Sequence, residues 1–167
     1  AERYNATVLR VAVGEVNVVK AMMKHKAKVG GEGSSGGVII PEVHYVRDGP
    51  LACAKMVEIL AETGMSVSEV LNEYSRYYLK RVKLSYPQNL SEKIIREIVS
   101  RHRDEDLDLT DGVKLCRGKE WILVRPSRTE PKIRVWAEAR SPERAEQLCK
   151  SMVDEVKSII LELRNNG

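Results

Sequence analysis

The 167-residue sequence contains no phenylalanine, three cysteines, three histidines and no long apolar run. A membrane-spanning helix needs about 20 consecutive, mainly apolar residues, and no segment of the sequence approaches that length. The N-terminal residues also lack a basic segment followed by an apolar one, which is the pattern of a secretory signal. The sequence therefore predicts a globular protein that neither enters a membrane nor is secreted.

The cysteines Cys53, Cys116 and Cys149 are odd in number, far apart and without C-x-x-C spacing. This pattern favours neither a disulfide framework nor a zinc site, and it is typical of the reducing cytoplasm. The histidines are equally scattered, and no carboxylates stand at ligand spacing from them. We therefore expect a cytoplasmic protein without a metal site in this chain.

Charge is unevenly distributed along a chain whose net charge is +4. Residues 1–75 contain 8 basic and 9 acidic side chains, whereas residues 76–167 contain 20 basic and 15 acidic ones. An excess of this size in the second part fits a phosphorylated small molecule as well as it fits nucleic acid. No segment alternates aromatic and basic residues to form a stacking platform, so nucleic acid is not expected as a partner.

The first 75 residues predict a piece of a βαβ layer. Ala6–Val13 has the pattern of a strand, Glu15–Lys26 that of a helix and Gly37–Pro41 that of a second strand. A helix is then predicted to start at Asp48-Gly-Pro50, and a capping box at Ser66–Glu69 starts a shorter one. The longer helix is expected to face inward through Met56, Val57, Ile59 and Leu60.

Residues 76–167 predict a second domain of the α+β class, a small antiparallel sheet with two covering helices. A strand ends before Pro87, a helix starts near Asn89, and an Asp111-Gly112 turn joins two strands as a hairpin. Two further strands follow, and a long helix capped by Ser141 closes the chain. The fold class is therefore α/β for residues 1–75 plus α+β for residues 76–167.

Two loops carry the residue types of a binding site. The segment Gly30-Gly-Glu-Gly-Ser-Ser-Gly-Gly37 is rich in glycine, which permits close approach of the backbone to a ligand. It is either a flexible linker or a loop whose carboxylate and hydroxyls bind sugar hydroxyls. The segment Arg125-Pro-Ser-Arg-Thr-Glu-Pro131 offers guanidinium groups, hydroxyls and backbone N–H groups. It is either a solvated loop between strands or a phosphate-binding loop.

The motif Arg-Pro-Ser-x-Thr-Glu-Pro followed by a strand resembles the phosphate-binding loop in the last domain of α-D-phosphohexomutases, which include phosphomannomutase, phosphoglucomutase and phosphoglucosamine mutase. Gly-Gly-Glu-x-Ser-Gly is similar to the sugar-binding loop in their third domain, and the segments 11–18 and 47–49 look like archaeal members. The glycine loop is one residue longer than usual, so Ser34 or Ser35 could take the serine role. Gly37 stands where many members have histidine.

This resemblance implies the roles of individual residues. Glu32, Ser34 and Ser35 would bind sugar, and Arg125, Ser127, Arg128 and Thr129 would bind phosphate. The family reaction also needs a phosphoserine loop and an Asp-rich Mg²⁺ loop, and neither motif occurs in this sequence. The resemblance therefore identifies the chain as most of domain 3 plus domain 4. It implies that residues 1–75 are a partial βαβ three-layer domain, incomplete at its N-terminus, and the start at Ala1 leads us to expect a truncated enzyme.

The full-length protein is expected to be an isomerase that interconverts hexose 1-phosphate and hexose 6-phosphate. The resemblance implies a phosphoserine enzyme, Mg²⁺ as cofactor, a hexose bisphosphate intermediate and a hexose 1,6-bisphosphate activator. The 167-residue chain alone is expected to be inactive, because it requires its N-terminal domains. Two alternatives from other classes stay open, a non-catalytic phosphosugar-binding module and a purely structural fragment. The sequence does not identify the hexose.

Overall fold

The structure, a computed structural model, describes residues 4–33, 37–72, 74, 76–127 and 130–165. The chain divides into two compact units, Ala1–Ser75 and Arg76–Gly167. Within the described ranges, no helix combines the length and the apolar character needed to cross a membrane.

The first unit consists of three helices and one short pair of strands. The elements in chain order are α1 Glu15–His25, β1 Gly30–Gly31, β2 Val38–Ile39, α2 Gly49–Thr63 and α3 Val67–Asn72. The strands β1 and β2 are antiparallel, with Gly30 opposite Ile39. The core of this unit is small, because only Val18, Met22 and Ile39 are buried among its described hydrophobic residues.

Local capping signals explain where the helices of the first unit begin and end. Helix α2 begins at Asp48, whose carboxylate accepts a hydrogen bond of 2.7 Å from the backbone N–H of Leu51. It ends at Gly64, which adopts a left-handed conformation with φ 68°. The predicted capping box before α3 is confirmed, because the Glu69 carboxylate accepts a 2.7 Å bond from the N–H of Ser66. Such caps depend on neighbouring residues alone, so the sequence predicts them well.

Two predictions for the first unit are wrong. Residues 6–12 form no strand, and the two described strands both follow α1 and run antiparallel, so the β-α-β order is not present in the described residues. Three of the four residues of the inward stripe predicted on α2 are exposed instead, at 36% for Met56, 64% for Val57 and 42% for Ile59, and only Leu60 is partly buried. A strand requires a hydrogen-bonding neighbour and an apolar stripe requires a packing partner. In the described part of this unit, residues 6–12 pair with no strand, and the exposed residues of α2 have no packing partner.

The second unit confirms the predicted antiparallel sheet with two covering helices. Its elements are β3 Tyr78–Ser85, a short 3₁₀ helix Gln88–Leu90, α4 Ser91–Arg101, β4 Asp106–Asp108, β5 Val113–Arg117, β6 Glu120–Pro126, β7 Lys132–Ala139 and α5 Pro142–Asn165. The strands are ordered β3-β7-β6-β5-β4, and every neighbouring pair is antiparallel. The sheet and both helices share one hydrophobic core.

Alternation along the strands separates a covered face of the sheet from an open face. On β7, Ile133, Val135, Ala137 and Ala139 are fully buried beneath the helices, whereas the residues between them are partly exposed. This period of two is the pattern of a strand with one buried face and one solvated face. Antiparallel sheets commonly bury one face and leave the other solvated. The open face therefore carries the intervening residues, which include Arg134 and Trp136.

Candidate functional site

The loop between β6 and β7 is held at its base by backbone hydrogen bonds. The N–H of Ser127 donates to the carbonyl of Lys132 at 2.8 Å, and the N–H of Lys132 donates to the carbonyl of Glu130 at 2.7 Å. The N–H of Tyr86, just after β3, donates to the carbonyl of Pro131 at 3.2 Å. These bonds fix the loop relative to the ends of three neighbouring strands.

Arg125 enters the loop from β6 and is paired with an acidic side chain from a different turn. Its Nε lies 2.7 Å from Oδ2 of Asp111, and the two side chains are 12% and 14% exposed. The contact is an ion pair and not a hydrogen bond. The Nε atom is buried, and no acceptor among the described residues meets hydrogen-bond geometry with it. The close approach rests on charge attraction in a site with little solvent screening. Asp111 therefore holds the guanidinium group at the base of the loop.

Glycine at position 112 permits this approach of the turn to β6. Gly112 has φ +86°, and a Cβ built there would lie 2.4 Å from the carbonyl oxygen of Val124 and 3.1 Å from Cα of Arg125. No residue with a side chain fits at that distance. The sequence identified Asp111-Gly112 as a hairpin turn but did not identify Asp111 as the partner of Arg125.

Ser127 is buried, at 6% exposure, and is the only buried polar residue among those described. It borders an open cavity of about 500 Å³ between the loop and the start of α4. Tyr86 also borders the cavity. Its hydroxyl is buried and has no hydrogen-bond partner in the described residues. The cavity is lined by Tyr86, Gln88, Asn89, Ser91, Glu92, Lys93, Arg96 and Ser127.

The four predicted phosphate-binding residues fall into two groups. The structure brings Arg125 and Ser127 to the base of one loop, as described above. Arg128 and Thr129 lie outside the described residues, so their predicted roles stay predictions. The described part of the loop thus combines a buried hydroxyl with an oriented guanidinium group, and both groups donate hydrogen bonds suited to a phosphate oxygen.

The glycine loop of the first unit contains a second oriented charged residue. Glu32 is 15% exposed, and its Oε2 accepts a hydrogen bond of 2.8 Å from Nη1 of Arg47. Its backbone N–H donates to the carbonyl of Gly37 at 2.9 Å, which closes the base of the loop. The other two predicted sugar-binding residues, Ser34 and Ser35, lie outside the described residues.

Arg47 connects Glu32 to the start of α1. Its Nε donates to Oε2 of Glu15 at 2.9 Å, and its backbone N–H donates to Oε1 of Glu15 at 3.1 Å. These two hydrogen bonds lower the pKa of the Glu15 carboxyl, with the backbone bond as the larger cause. In the sequence, Arg47 stands out only as part of the segment 47–49 that resembles archaeal family members. Nothing in the spacing of positions 15, 32 and 47 predicts that one guanidinium group joins both carboxylates.

The resemblance noted in the sequence implies a Mg²⁺ ion in the full-length enzyme. In the described ranges, no group of three or more His, Cys, Asp or Glu side chains is arranged to hold one. The described residues therefore do not fit a Mg²⁺ site.

The chain is a two-unit protein with one loop that holds an ion-paired arginine beside a buried serine and one polar glycine loop. The model for the phosphoglucomutase/phosphomannomutase alpha/beta/alpha domain III matches residues 1–77, and the model for the C-terminal domain of the same family matches residues 79–155. The chain therefore belongs to the phosphoglucomutase/phosphomannomutase family, which confirms the resemblance noted in the sequence.

Curated relatives from archaea carry the same family names. A "Probable phosphoglucosamine mutase" of Methanopyrus kandleri is 40% identical over 94% of this chain and 35% of its own length. A "Phosphoglucomutase/phosphomannomutase" of Thermococcus kodakarensis is 36% identical over 88% of this chain and 32% of its own. The chain thus spans about a third of the length of these relatives, and the matching family models place that third in domains III and IV.

A solved structure supports the fold. The crystal structure of a phosphoglucomutase/phosphomannomutase family protein from Burkholderia thailandensis matches with a TM-score of 0.71 over 90% of this chain and 32% of that one. Its sequence identity is 22%, so the match bears on the fold alone.

Proposed function

We propose that this chain is the sugar- and phosphate-binding C-terminal part of a phosphohexomutase that interconverts hexose 1-phosphate and hexose 6-phosphate. The observation that carries the proposal is the pairing of Arg125 with Asp111 beside the buried Ser127 at the base of the β6–β7 loop. Phosphoryl transfer depends chiefly on positioning and on charge neutralisation. A held guanidinium group and a buried hydroxyl are suited to holding a phosphate group that does not react.

Each loop contributes a separate part of the binding. The Arg125 guanidinium and the Ser127 hydroxyl donate hydrogen bonds to phosphate oxygens, and Arg128 and Thr129 are proposed to add further donors. The Glu32 carboxylate, which a hydrogen bond from Arg47 orients, is proposed to accept hydrogen bonds from ring hydroxyls. Ser34 or Ser35 is proposed to complete the sugar contacts. The phosphate loop supplies affinity, and the glycine loop distinguishes a sugar phosphate from free phosphate.

The reacting end of the substrate belongs to the remainder of the proposed enzyme. There we expect the phosphoserine and the Mg²⁺ that neutralises charge on the transferred group, together with a bisphosphate intermediate and activation by hexose 1,6-bisphosphate. The isolated chain is therefore proposed to bind substrate without turnover. We also propose a cytoplasmic location, which the three unpaired cysteines support.

An amino sugar is the alternative substrate. Several curated relatives carry the name phosphoglucosamine mutase, and one from Sulfurisphaera tokodaii, 34% identical over 95% of this chain and 34% of its own length, is named phosphoglucosamine/phosphogalactosamine mutase. A non-catalytic phosphosugar-binding module remains the second alternative. The two alternatives differ in catalytic turnover: adding the remaining domains should give turnover if the protein is an enzyme, and none if it is a binding module.

Calorimetric titration of the chain tests the proposal directly. Glucose 6-phosphate, mannose 6-phosphate, glucosamine 6-phosphate and inorganic phosphate are compared on the wild-type chain and on Ser127→Ala. We expect dissociation constants on the order of millimolar (~4 kcal/mol), with sugar phosphates binding more tightly than phosphate and with binding weakened in Ser127→Ala. Ser158→Ala, which removes an exposed hydroxyl on α5, is the matched control.

Three results would contradict the proposal. Equal affinity for all four ligands would exclude sugar recognition, and unchanged affinity in Ser127→Ala would exclude the β6–β7 loop as the phosphate site. Conversion of glucose 1-phosphate by the purified chain at an enzyme-like rate would show that the chain does not depend on other domains for turnover. The ranking of the three sugar phosphates decides between a hexose and an amino sugar as the substrate.

A further inference from the structure

One guanidinium group joins three segments of the first unit beside the glycine loop. The Arg47 side chain donates from Nε to Oε2 of Glu15 at 2.9 Å and from Nη1 to Oε2 of Glu32 at 2.8 Å. Glu15 is the first residue of α1, Glu32 belongs to the glycine loop, and Arg47 lies in the segment before α2. These three residues are called the Glu15–Arg47–Glu32 bridge.

The backbone around Arg47 is held on both sides, which fixes the origin of its side chain. The N–H of Arg47 donates to Oε1 of Glu15 at 3.1 Å, and the N–H of Asp48 donates to the carbonyl of Val38 at 2.9 Å. Glu15 therefore accepts from Arg47 with both carboxylate oxygens. Val38 belongs to β2, the strand that follows the glycine loop. The guanidinium group thus reaches Glu32 from a segment that is held at the start of α1 and at β2.

Arginine suits position 47 better than lysine would. The contacts to Glu15 and Glu32 use two different nitrogens of one planar guanidinium group, whose donors are fixed relative to one another. A lysine carries its charge on a single nitrogen, so it would not fix the angle between two carboxylates. Without any cation, the two carboxylates that share it would repel each other. The bridge therefore sets both the position and the orientation of the Glu32 carboxylate.

Partial burial places the bridge at the surface of the unit and not in its core. The side chains are 29% exposed for Glu15, 25% for Arg47 and 15% for Glu32. The small hydrophobic core of this unit is formed by other residues. Charge-assisted hydrogen bonds at such positions are screened less than fully exposed ones. The Glu32 carboxylate is thus held firmly where a ligand can still reach it.

We propose that Arg47 and Glu15 are positioning residues for sugar recognition: Glu15 fixes the Arg47 guanidinium, which orients the Glu32 carboxylate towards the ring hydroxyls of a hexose phosphate. The inference rests on the proposed function, in which Glu32 accepts hydrogen bonds from the sugar. It adds two residues outside the glycine loop that act through Glu32 and do not contact the ligand. Recognition of the sugar ring then depends on the start of α1 and on the segment before α2 as well as on the loop.

Calorimetric titration of full 167-residue variants tests this assignment. Glucose 6-phosphate and inorganic phosphate are compared on the wild type, Arg47→Met, Arg47→Lys, Glu15→Gln, Glu32→Gln and the double variant Arg47→Met with Glu32→Gln. Arg10→Met, at an exposed residue before α1, is the matched control for the loss of one arginine. Urea unfolding followed by circular dichroism verifies that each variant is folded.

The single variants should weaken binding of the sugar phosphate selectively. We expect the dissociation constant of glucose 6-phosphate to rise about fivefold in Arg47→Met, because Glu32 keeps its charge but loses its orientation. Arg47→Lys and Glu15→Gln should each raise it about threefold, since one contact of the bridge is retained. The dissociation constant of inorganic phosphate should change less than about twofold in every variant, and Arg10→Met should leave both constants within that range.

The double variant separates positioning from direct contact. A residue that acts only through Glu32 has no further effect once Glu32 is replaced, so the double variant should bind glucose 6-phosphate as Glu32→Gln does. Additive losses would overturn the positioning role, because they indicate that Arg47 contacts the ligand itself. Equal losses for both ligands in Arg47→Met would overturn it as well, since they indicate a structural role. If Arg47→Met does not fold, Arg47→Lys combined with Glu32→Gln gives the same comparison.

The outcomes separate this inference from the proposed function. If Glu32→Gln removes the preference for glucose 6-phosphate over inorganic phosphate while Arg47→Met and Glu15→Gln keep it, the bridge is excluded as a positioning device and the proposed sugar site stands. If the wild type shows no such preference and Glu32→Gln binds both ligands as the wild type does, the proposed sugar recognition fails, and this inference fails with it. A wild-type chain that binds no phosphate compound would overturn both.

Discussion

Arg125 on β6 and Asp111 in the turn before β5 form an ion pair at 2.7 Å between residues 14 positions apart. Both side chains are largely buried, at 12% and 14% exposure. The pair thereby couples the stability of the sheet to the orientation of Arg125, which is proposed to bind phosphate. A buried ion pair is costly to break from one side, because the remaining charge stays desolvated.

Replacing one member of this pair should therefore destabilise the chain more than replacing both. We expect Arg125→Gln to lower the free energy of unfolding by about 2 kcal/mol, since Asp111 loses its ion pair with Arg125 at a largely buried position. The double variant Arg125→Gln with Asp111→Asn should recover about half of that loss, because no charge is left unpaired. Urea unfolding followed by circular dichroism measures both. Additive losses in the double variant would show that the two side chains are not coupled.

Gly112 should tolerate no side chain. Its φ of +86° disfavours other residues, and a Cβ would meet the Val124 carbonyl at 2.4 Å. We expect Gly112→Ala to cost about 3 kcal/mol, from backbone strain together with the displacement of β6. Gly118→Ala is the matched control, because Gly118 has φ +65° and a Cβ added there would meet no atom within 4 Å.

The control should cost only about 1 kcal/mol, the strain of the backbone conformation alone. Gly112→Ala should also weaken phosphate binding, since the turn that carries Asp111 must move. Equal losses in the two variants would mean that the turn is not packed against β6 as described.

Glu32 should determine the preference for a sugar phosphate over free phosphate. In Glu32→Gln the side chain keeps its shape but loses its charge and its ion pair with Arg47. We expect glucose 6-phosphate to bind about as weakly as inorganic phosphate, whose own affinity should be unchanged because it contacts the other loop. Glu42→Gln, at an exposed residue whose distance to Lys28 is 3.9 Å, is the control. A parallel loss for both ligands would place Glu32 in a structural role.

Acid stability should depend on Glu105. The Arg117 guanidinium donates two hydrogen bonds to this carboxylate at 2.6 and 2.7 Å and is the main cause that lowers its pKa from 4.5 to about 2. His102 contributes as well, with Nδ1 2.7 Å from Glu105 and Nε2 3.0 Å from Glu155. A carboxyl whose pKa is lowered by folding stabilises the native state above its unfolded pKa and loses that contribution as the pH falls through its folded pKa.

The wild-type chain should therefore lose stability between about pH 4.5 and pH 2. Arg117→Gln should be less stable than the wild type at pH 7 by about 1 kcal/mol, because the pair is partly exposed, and its stability should fall less steeply over this range. Thermal unfolding at several pH values measures both effects. Arg96→Gln is the control, since Arg96 and its partner Glu92 are 79% and 84% exposed. Parallel pH profiles for Arg117→Gln and the wild type would show that Glu105 does not titrate as described.

Much of the second unit could be predicted because its signals are local. The alternation of Ile133 and Val135 with Arg134 on β7, the Asp111-Gly112 turn and the Ser141 cap of α5 all depend on residues near each other in the chain. The strand over residues 6–13 was predicted by the same kind of pattern and is wrong. Its apolar residues are there, but a strand also needs a neighbour, and no local pattern reports whether one is present.

The sequence by itself determined the family, the two loops and the residue types that they carry, because motifs and capping signals are properties of consecutive residues. Tertiary structure decided which side chains meet. Arg47 joins Glu32 to Glu15, Asp111 holds Arg125, and Lys83, Arg134 and Arg125 stand opposite one another. These relationships depend on strand register and on the packing of turns, because a shift of one strand by one residue would move the side chains of that strand to the other face of the sheet.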